Sequence, residues 1–279
     1  MLATFFNNLL SKNRKIRTMT NNYMTLTVAD GVGLLTLNRP EEGNPVVHGM
    51  VQELIENAIR CDEDPAIRAV VLTGRGRFFS VGGGLKDFAS QGDRVSAHLK
   101  LVTQLFHGAI AKFNRMAPPV IAAINGTAAG GGLSLALCTD LAIAAESAKF
   151  TMAYTNAGLP PDGSSSFYLA RMVGMRRAKE MALLNPVLSA QQALDWGLVN
   201  RVVPDAQLLD TALAMAAQLA QGSTTAYGET KRLILSGATE GLETQLELES
   251  RAISALAGSR DGREGVAAFL EKRKPVFRD

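Results

Sequence analysis

The chain has 279 residues, 47% of them hydrophobic and 20% charged, the balance of an ordinary globular protein with ample core. A net charge of +3 is mild and implies no nucleic-acid footprint, and no apolar run reaches the length of a membrane helix. The two cysteines, Cys61 and Cys138, lack metal-ligand spacing and read as buried free thiols, which fits a reducing, cytoplasmic setting.

Residues 1–22 hold Lys12, Arg14, Lys15 and Arg17, and the first acid in the chain is Asp30. The segment reads as a disordered basic extension; it would imply an organelle matrix if it acted as a transit peptide. Residues 23–38 predict a hairpin with its turn at Asp30 and Gly31. Apolar residues at helical spacing follow over 44–60, with Pro45 blurring the start. A buried strand is expected over 67–73, then a glycine cluster at Gly82, Gly83 and Gly84. A long amphipathic helix spans 95–113. A second apolar strand, 120–124, leads to a second cluster, Gly130, Gly131 and Gly132, and a helical segment. Strands at 141–145 and 198–203 and helices from Ser166 onward, the first two over 167–173 and 176–184, complete the pattern. The alternation argues parallel β-structure with crossover helices. The division is a core over 23–203 and a helical region over 204–279.

Two glycine turns, each after a buried strand, can place two backbone N–H donors around one oxygen, the requirement of an oxyanion hole. Neither is a nucleotide loop: G-x-x-x-x-G-K-[ST] is absent, and no G-x-G-x-x-G opens a helix after a strand. Taken singly, each cluster is equally well a tight crossover with close helix packing.

The strings NRP at 38–40, FSVGGGLK at 79–86 and INGTAAGGGLSLALCTDLAIAAESAKF at 124–150 resemble the crotonase, or enoyl-CoA hydratase/isomerase, superfamily. The resemblance implies an α/β fold, a ββα superhelix whose helical C-terminal region forms trimers, often paired into hexamers. It implies an acyl-CoA thioester as partner, CoA being part of the substrate, with no separate cofactor and no metal. By position, Gly83 and Gly131 would hold the thioester oxygen. Lys86, Phe269, Lys272 and Lys274 fall where relatives meet the nucleotide end of CoA, although a solvated charged tail explains 272–278 as well. Gly84 departs from the family, which commonly has Asp there.

Hydratases of the family use two glutamates to handle water. Their positions here are Ser134 and Tyr154, which argues against ordinary hydration. Asp162 matches the catalytic aspartate of isomerase and dehalogenase branches. The strings MAYTNAGLPPDG at 152–163, DWGLVN at 195–200 and EGVAAFLEKRKPVF at 264–277 look most like the ring-epoxide (1,2-epoxyphenylacetyl-CoA) isomerase branch. His107 matches in spacing the base histidine of 4-chlorobenzoyl-CoA dehalogenases. Against these roles, Asp162 is also a natural helix N-cap, and His107 a packed helix histidine beside Phe106. His48 and His98 have no partner in the pattern. The expected function is an acyl-CoA isomerase using Asp162 with Tyr154. The alternatives are a dehalogenase or hydrolase adding His107, a hydratase, and a catalytically silent acyl-CoA-binding protein.

Overall fold

The computed structural model describes residues 16–278. The strands are β1 (Arg17–Thr20), β2 (Met24–Ala29), β3 (Val32–Leu37), β4 (Ala69–Gly74), β5 (Phe78–Ser80), β6 (Val120–Ile124), β7 (Thr127–Ala129), β8 (Leu141–Ala145), β9 (Lys149–Thr151), β10 (Leu188–Ser189) and β11 (Arg201–Val203). The helices are α1 (His48–Glu63), α2 (Leu85–Ser90), α3 (Val95–Arg115), α4 (Gly131–Leu137), α5 (Ser165–Leu184), α6 (Ala190–Asp195), α7 (Leu208–Leu219), α8 (Thr224–Ser236), α9 (Leu242–Ala257) and α10 (Arg260–Leu270).

Two sheets carry the fold. The larger has the order β1-β2-β3-β4-β6-β8-β11 and the smaller β10-β9-β7-β5. Strands β3, β4, β6, β8 and β11 run parallel. Side chains alternate across the large sheet. Val70, Leu72, Ala122 and Ile124 face the main core with α1 and α3, while Val71, Ile121, Ala123 and Ile143 face α7. Both faces are covered, which is why these strands read as unbroken apolar runs.

The expected hairpin forms, with Asp30 and Gly31 both at positive φ in its turn. The basic extension expected over 1–22 needs a correction at its end. Arg17–Thr20 pairs antiparallel with β2, so the order begins before Met24; residues 1–15 lie outside the described residues. The expected helices at 167–173 and 176–184 form as the two halves of α5, separated at Gly174, where φ is 78° and ψ 159°. Helix α7 lies against the large sheet, so the region from 204 opens with a helix that belongs to the sheet's packing.

Candidate active site

The small sheet brings the two glycine turns together. Three strands of the large sheet are each followed by a short strand of the small one: β4 by β5, β6 by β7 and β8 by β9. Strands β5 and β7 pair in parallel, Phe78 with Thr127 and Ser80 with Ala128. The contact is too close for side chains. A Cβ on Gly82 would meet the Ala129 carbonyl oxygen at 2.5 Å, and one on Gly132 the Ser80 carbonyl oxygen at 2.3 Å. Buried Asn44 ties the junction by donating to the carbonyls of Arg75, Phe78 and Phe79.

Gly83 and Gly131 line one cavity of about 280 Å³. Val46 brackets Gly83, donating its N–H to Gly82 O and accepting from Gly84 N–H, which leaves the Gly83 N–H outside the ladder. Gly131 is the first residue of α4, where an N–H has no intrahelical acceptor. Among the described residues neither N–H has a hydrogen-bond acceptor. Gly84 has a local cause: a Cβ there would lie 2.5 Å from a methyl of Val47, in the space that the family's usual Asp would need.

Asp162 lines the same cavity. Its Oδ1 accepts a 2.5 Å hydrogen bond from the Tyr154 hydroxyl. The Ser134 hydroxyl, fully buried, lies 2.9 Å from the Tyr154 oxygen and 2.9 Å from the Asp162 carbonyl oxygen. The Tyr154 phenol has its pKa pushed far up, first by burial and then by the Asp162 charge. It therefore stays protonated and remains a donor. Helix capping does not account for Asp162. The residue before α5 is Ser164, at φ 65°, and no side chain caps that end. The turn is built around Gly163, where a Cβ would strike the Phe106 ring at 2.5 Å.

His107 projects from α3 toward the far side of Asp162. Its Nε2 is 3.8 Å from Asp162 Oδ2 and accepts the Gly163 N–H at 3.2 Å. The ring is half-exposed and is not among the cavity-lining residues. Lys86 is exposed on α2, beside cavity-lining Leu85. Phe269, Lys272 and Lys274 are exposed at the C-terminal end, and none lines the cavity of its own chain. The structure thus brings together Gly83, Gly131, Tyr154 and Asp162, sets His107 behind the carboxylate, and leaves the expected CoA residues dispersed. Ser134 as a partner of Tyr154 was not legible from sequence, since the two lie on separate elements, α4 and the segment after β9. Among the described residues no group of three or more His, Cys, Asp or Glu side chains forms a metal-binding cluster, and no helix is long and apolar enough to cross a membrane.

Two N–H donors without acceptors and one carboxylate line a single, largely apolar cavity, an arrangement that can steady an oxyanion while a proton moves. Comparison with known proteins makes this specific. A profile of the enoyl-CoA hydratase/isomerase family matches residues 27–279, and the chain belongs to that crotonase family. It is 43% identical over 252 residues to the 1,2-epoxyphenylacetyl-CoA isomerase of Escherichia coli K12, covering 90% of this chain and 96% of that protein. It is 36% identical over 253 residues to a 4-chlorobenzoyl coenzyme A dehalogenase of Arthrobacter, covering 90% and 92%. A crystal structure of an enoyl-CoA hydratase from Polaromonas superposes with a TM-score of 0.86 at 34% identity, covering 94% and 99%.

Proposed function

We propose that the chain isomerises an acyl-CoA thioester with Asp162 as proton shuttle. The Gly83 and Gly131 N–H groups hold the thioester oxygen. Asp162 takes a proton from a carbon conjugated to the thioester, and the electron pair moves onto that oxygen as an enolate. The same proton returns to another carbon, or to a ring oxygen, and the carboxylate is regenerated. The step balances without a redox partner or added water, so no cofactor beyond the substrate's CoA is invoked. The observation that carries this reading is the single carboxylate. Ser134 and Tyr154 occupy the two positions where a hydratase would carry glutamates, and both are spent on holding Asp162. The resemblance to an epoxyphenylacetyl-CoA isomerase makes a ring epoxide the first acyl group to try.

A second reading, aryl-CoA dehalogenation, has the 3.8 Å approach of His107 to Asp162 in its favour. Asp162 would displace halide to form an aryl ester, and His107 would take a proton from the water that opens it. The lone pair needed for that step is directed instead at the Gly163 N–H, which favours the isomerase. Product mass from a panel of acyl-CoAs decides: it is unchanged for an isomerase, raised by one water for a hydratase, and altered by exchange of halogen for hydroxyl in a dehalogenase. We also propose that the chain works as a trimer or hexamer.

A further inference from the structure

The cavity has a roof that, among the described residues, one side-chain bond ties to the rest of the fold. Helix α2 begins directly after the oxyanion turn and sends Leu85 and Phe88 into the cavity, one helical turn apart. The opposite wall is α3, which contributes Leu99, Val102, Thr103 and Phe106 at helical spacing. Helix α2 is six residues long and contains no buried residue, so packing alone gives it little hold. Its polar bonds within 85–91 are local: Ser90 Oγ to Asp87 O, and Gln91 Nε2 to Ser90 Oγ. Among the described residues only the Asp87 side chain bonds beyond the segment. Its Oδ2 lies 2.7 Å from His98 Nε2 on the first turns of α3, and both side chains are largely shielded from solvent, at 31% and 15% exposure.

We propose that Asp87 and His98 are positioning residues that clamp the α2 roof over the acyl group and so set affinity for acyl chains long enough to reach Leu85 and Phe88. Neither residue lines the cavity; they act through Phe88. The ring of Phe88 rests against Gly83, where a Cβ would meet it at 3.0 Å. The clamp therefore fixes an apolar surface next to the donor that receives the thioester oxygen. Loss of the pair leaves α2 without a side-chain hydrogen bond to the rest of the fold, held by its backbone and by the Phe88 contact. The apolar contact made by a longer acyl chain is then offset by the cost of ordering the helix. A two-carbon acyl group does not reach the roof and is indifferent to it.

The proposal rests on the acyl-CoA reading, and the test separates the two. Binding of hexanoyl-CoA and acetyl-CoA is measured by calorimetry on the wild-type protein, on Asp87→Asn, on His98→Gln and on the double variant. A shielded, charge-assisted bond corresponds to an affinity change on the order of tenfold. The expected result is about tenfold weaker hexanoyl-CoA binding in each single variant, little further loss in the double variant, and acetyl-CoA binding held within about twofold. Amide hydrogen exchange over 85–90 should speed up in the same variants without a fall in melting temperature. Equal weakening of both thioesters overturns the clamp and leaves a general structural role. Unchanged hexanoyl-CoA binding overturns it as well. If the wild-type protein binds neither thioester, the acyl-CoA reading itself fails, before any substitution is considered.

Discussion

Asp162→Asn keeps an oxygen for the Tyr154 hydroxyl and removes the base, so it separates chemistry from shape. General acid–base groups contribute typically about 10²–10⁴-fold. Turnover of Asp162→Asn on its responsive thioester should fall at least that far, while acyl-CoA affinity and the melting temperature stay close to wild type; near-normal turnover refutes the assignment. Tyr154→Phe removes the donor that fixes Oδ1, and the loss of one charged hydrogen bond should lower kcat by roughly tenfold or more with little change in KM. A rise in KM at constant kcat would instead make Tyr154 a binding residue. At this scale the sequence was readable where motif and chemistry coincide. Gly83, Gly131 and Asp162 could be named because family strings surround them. Ser134 could be named only as a missing glutamate; its bonds to Tyr154 and to the Asp162 carbonyl depend on how α4 packs on the turn before α5. His98 had no legible partner, because Asp87 lies across a turn that no periodicity marks.

Long apolar strands and amphipathic helices were legible at the scale of elements because their period survives burial: β6 and β8 form as expected, and α3 extends the expected helix by two residues. The three-residue strands β5, β7 and β9 were not, since a stretch that short carries no period, yet they align the two glycine turns. Gly132→Ala tests that alignment. The new Cβ would press on the Ser80 carbonyl, forcing β5 and α4 apart. Overpacking of this kind costs about 1–3 kcal/mol, and separating the donors should lower turnover by about 10²–10³-fold. A thermal melt and a kcat measurement on the same preparation check both, and wild-type turnover would show that the two turns need no such contact. The C-terminal tail offers a pH test. Glu264 is held down from its ordinary 4.5 to about 2, chiefly by the Arg273 guanidinium and then by the Val276 N–H. A lowered carboxylate pKa stabilises the fold above its unfolded value and ceases to do so as pH falls through the folded one. The tail should therefore loosen as pH drops from 4.5 towards about 2. A smaller protection factor for the Val276 amide, taken against its intrinsic exchange rate at each pH, is the expected reading; protection unchanged there would mean that other contacts hold the tail.

For the molecule as a whole, the C-terminal helices leave an apolar surface unsatisfied. Helix α9 has no buried residue, and it exposes Leu242, Leu246 and Ile253, while α8 exposes Ile234 and α10 exposes Val266. Together α8, α9 and α10 line a groove of about 850 Å³. Exposed apolar surface on this scale is rare on a monomer, and it is the reason to expect association through these helices. The same helices carry Phe269 and lead to Lys272 and Lys274, none of which reaches the cavity of its own chain. If these residues meet CoA, the cavity they serve is a neighbour's, and assembly and activity are linked. The prediction is a trimer or hexamer in sedimentation velocity. Ile253→Glu would place a charge on the exposed apolar face, where an unpaired buried charge is costly, so it should dissociate the assembly while leaving the monomer's melting behaviour nearly intact. Acyl-CoA affinity should fall with dissociation, because the basic groups near the nucleotide would be lost together with the neighbour. A wild-type protein that sediments as a monomer at micromolar concentration refutes the assembly, and an Ile253→Glu monomer that binds acyl-CoA as tightly as wild type removes Phe269, Lys272 and Lys274 from the site.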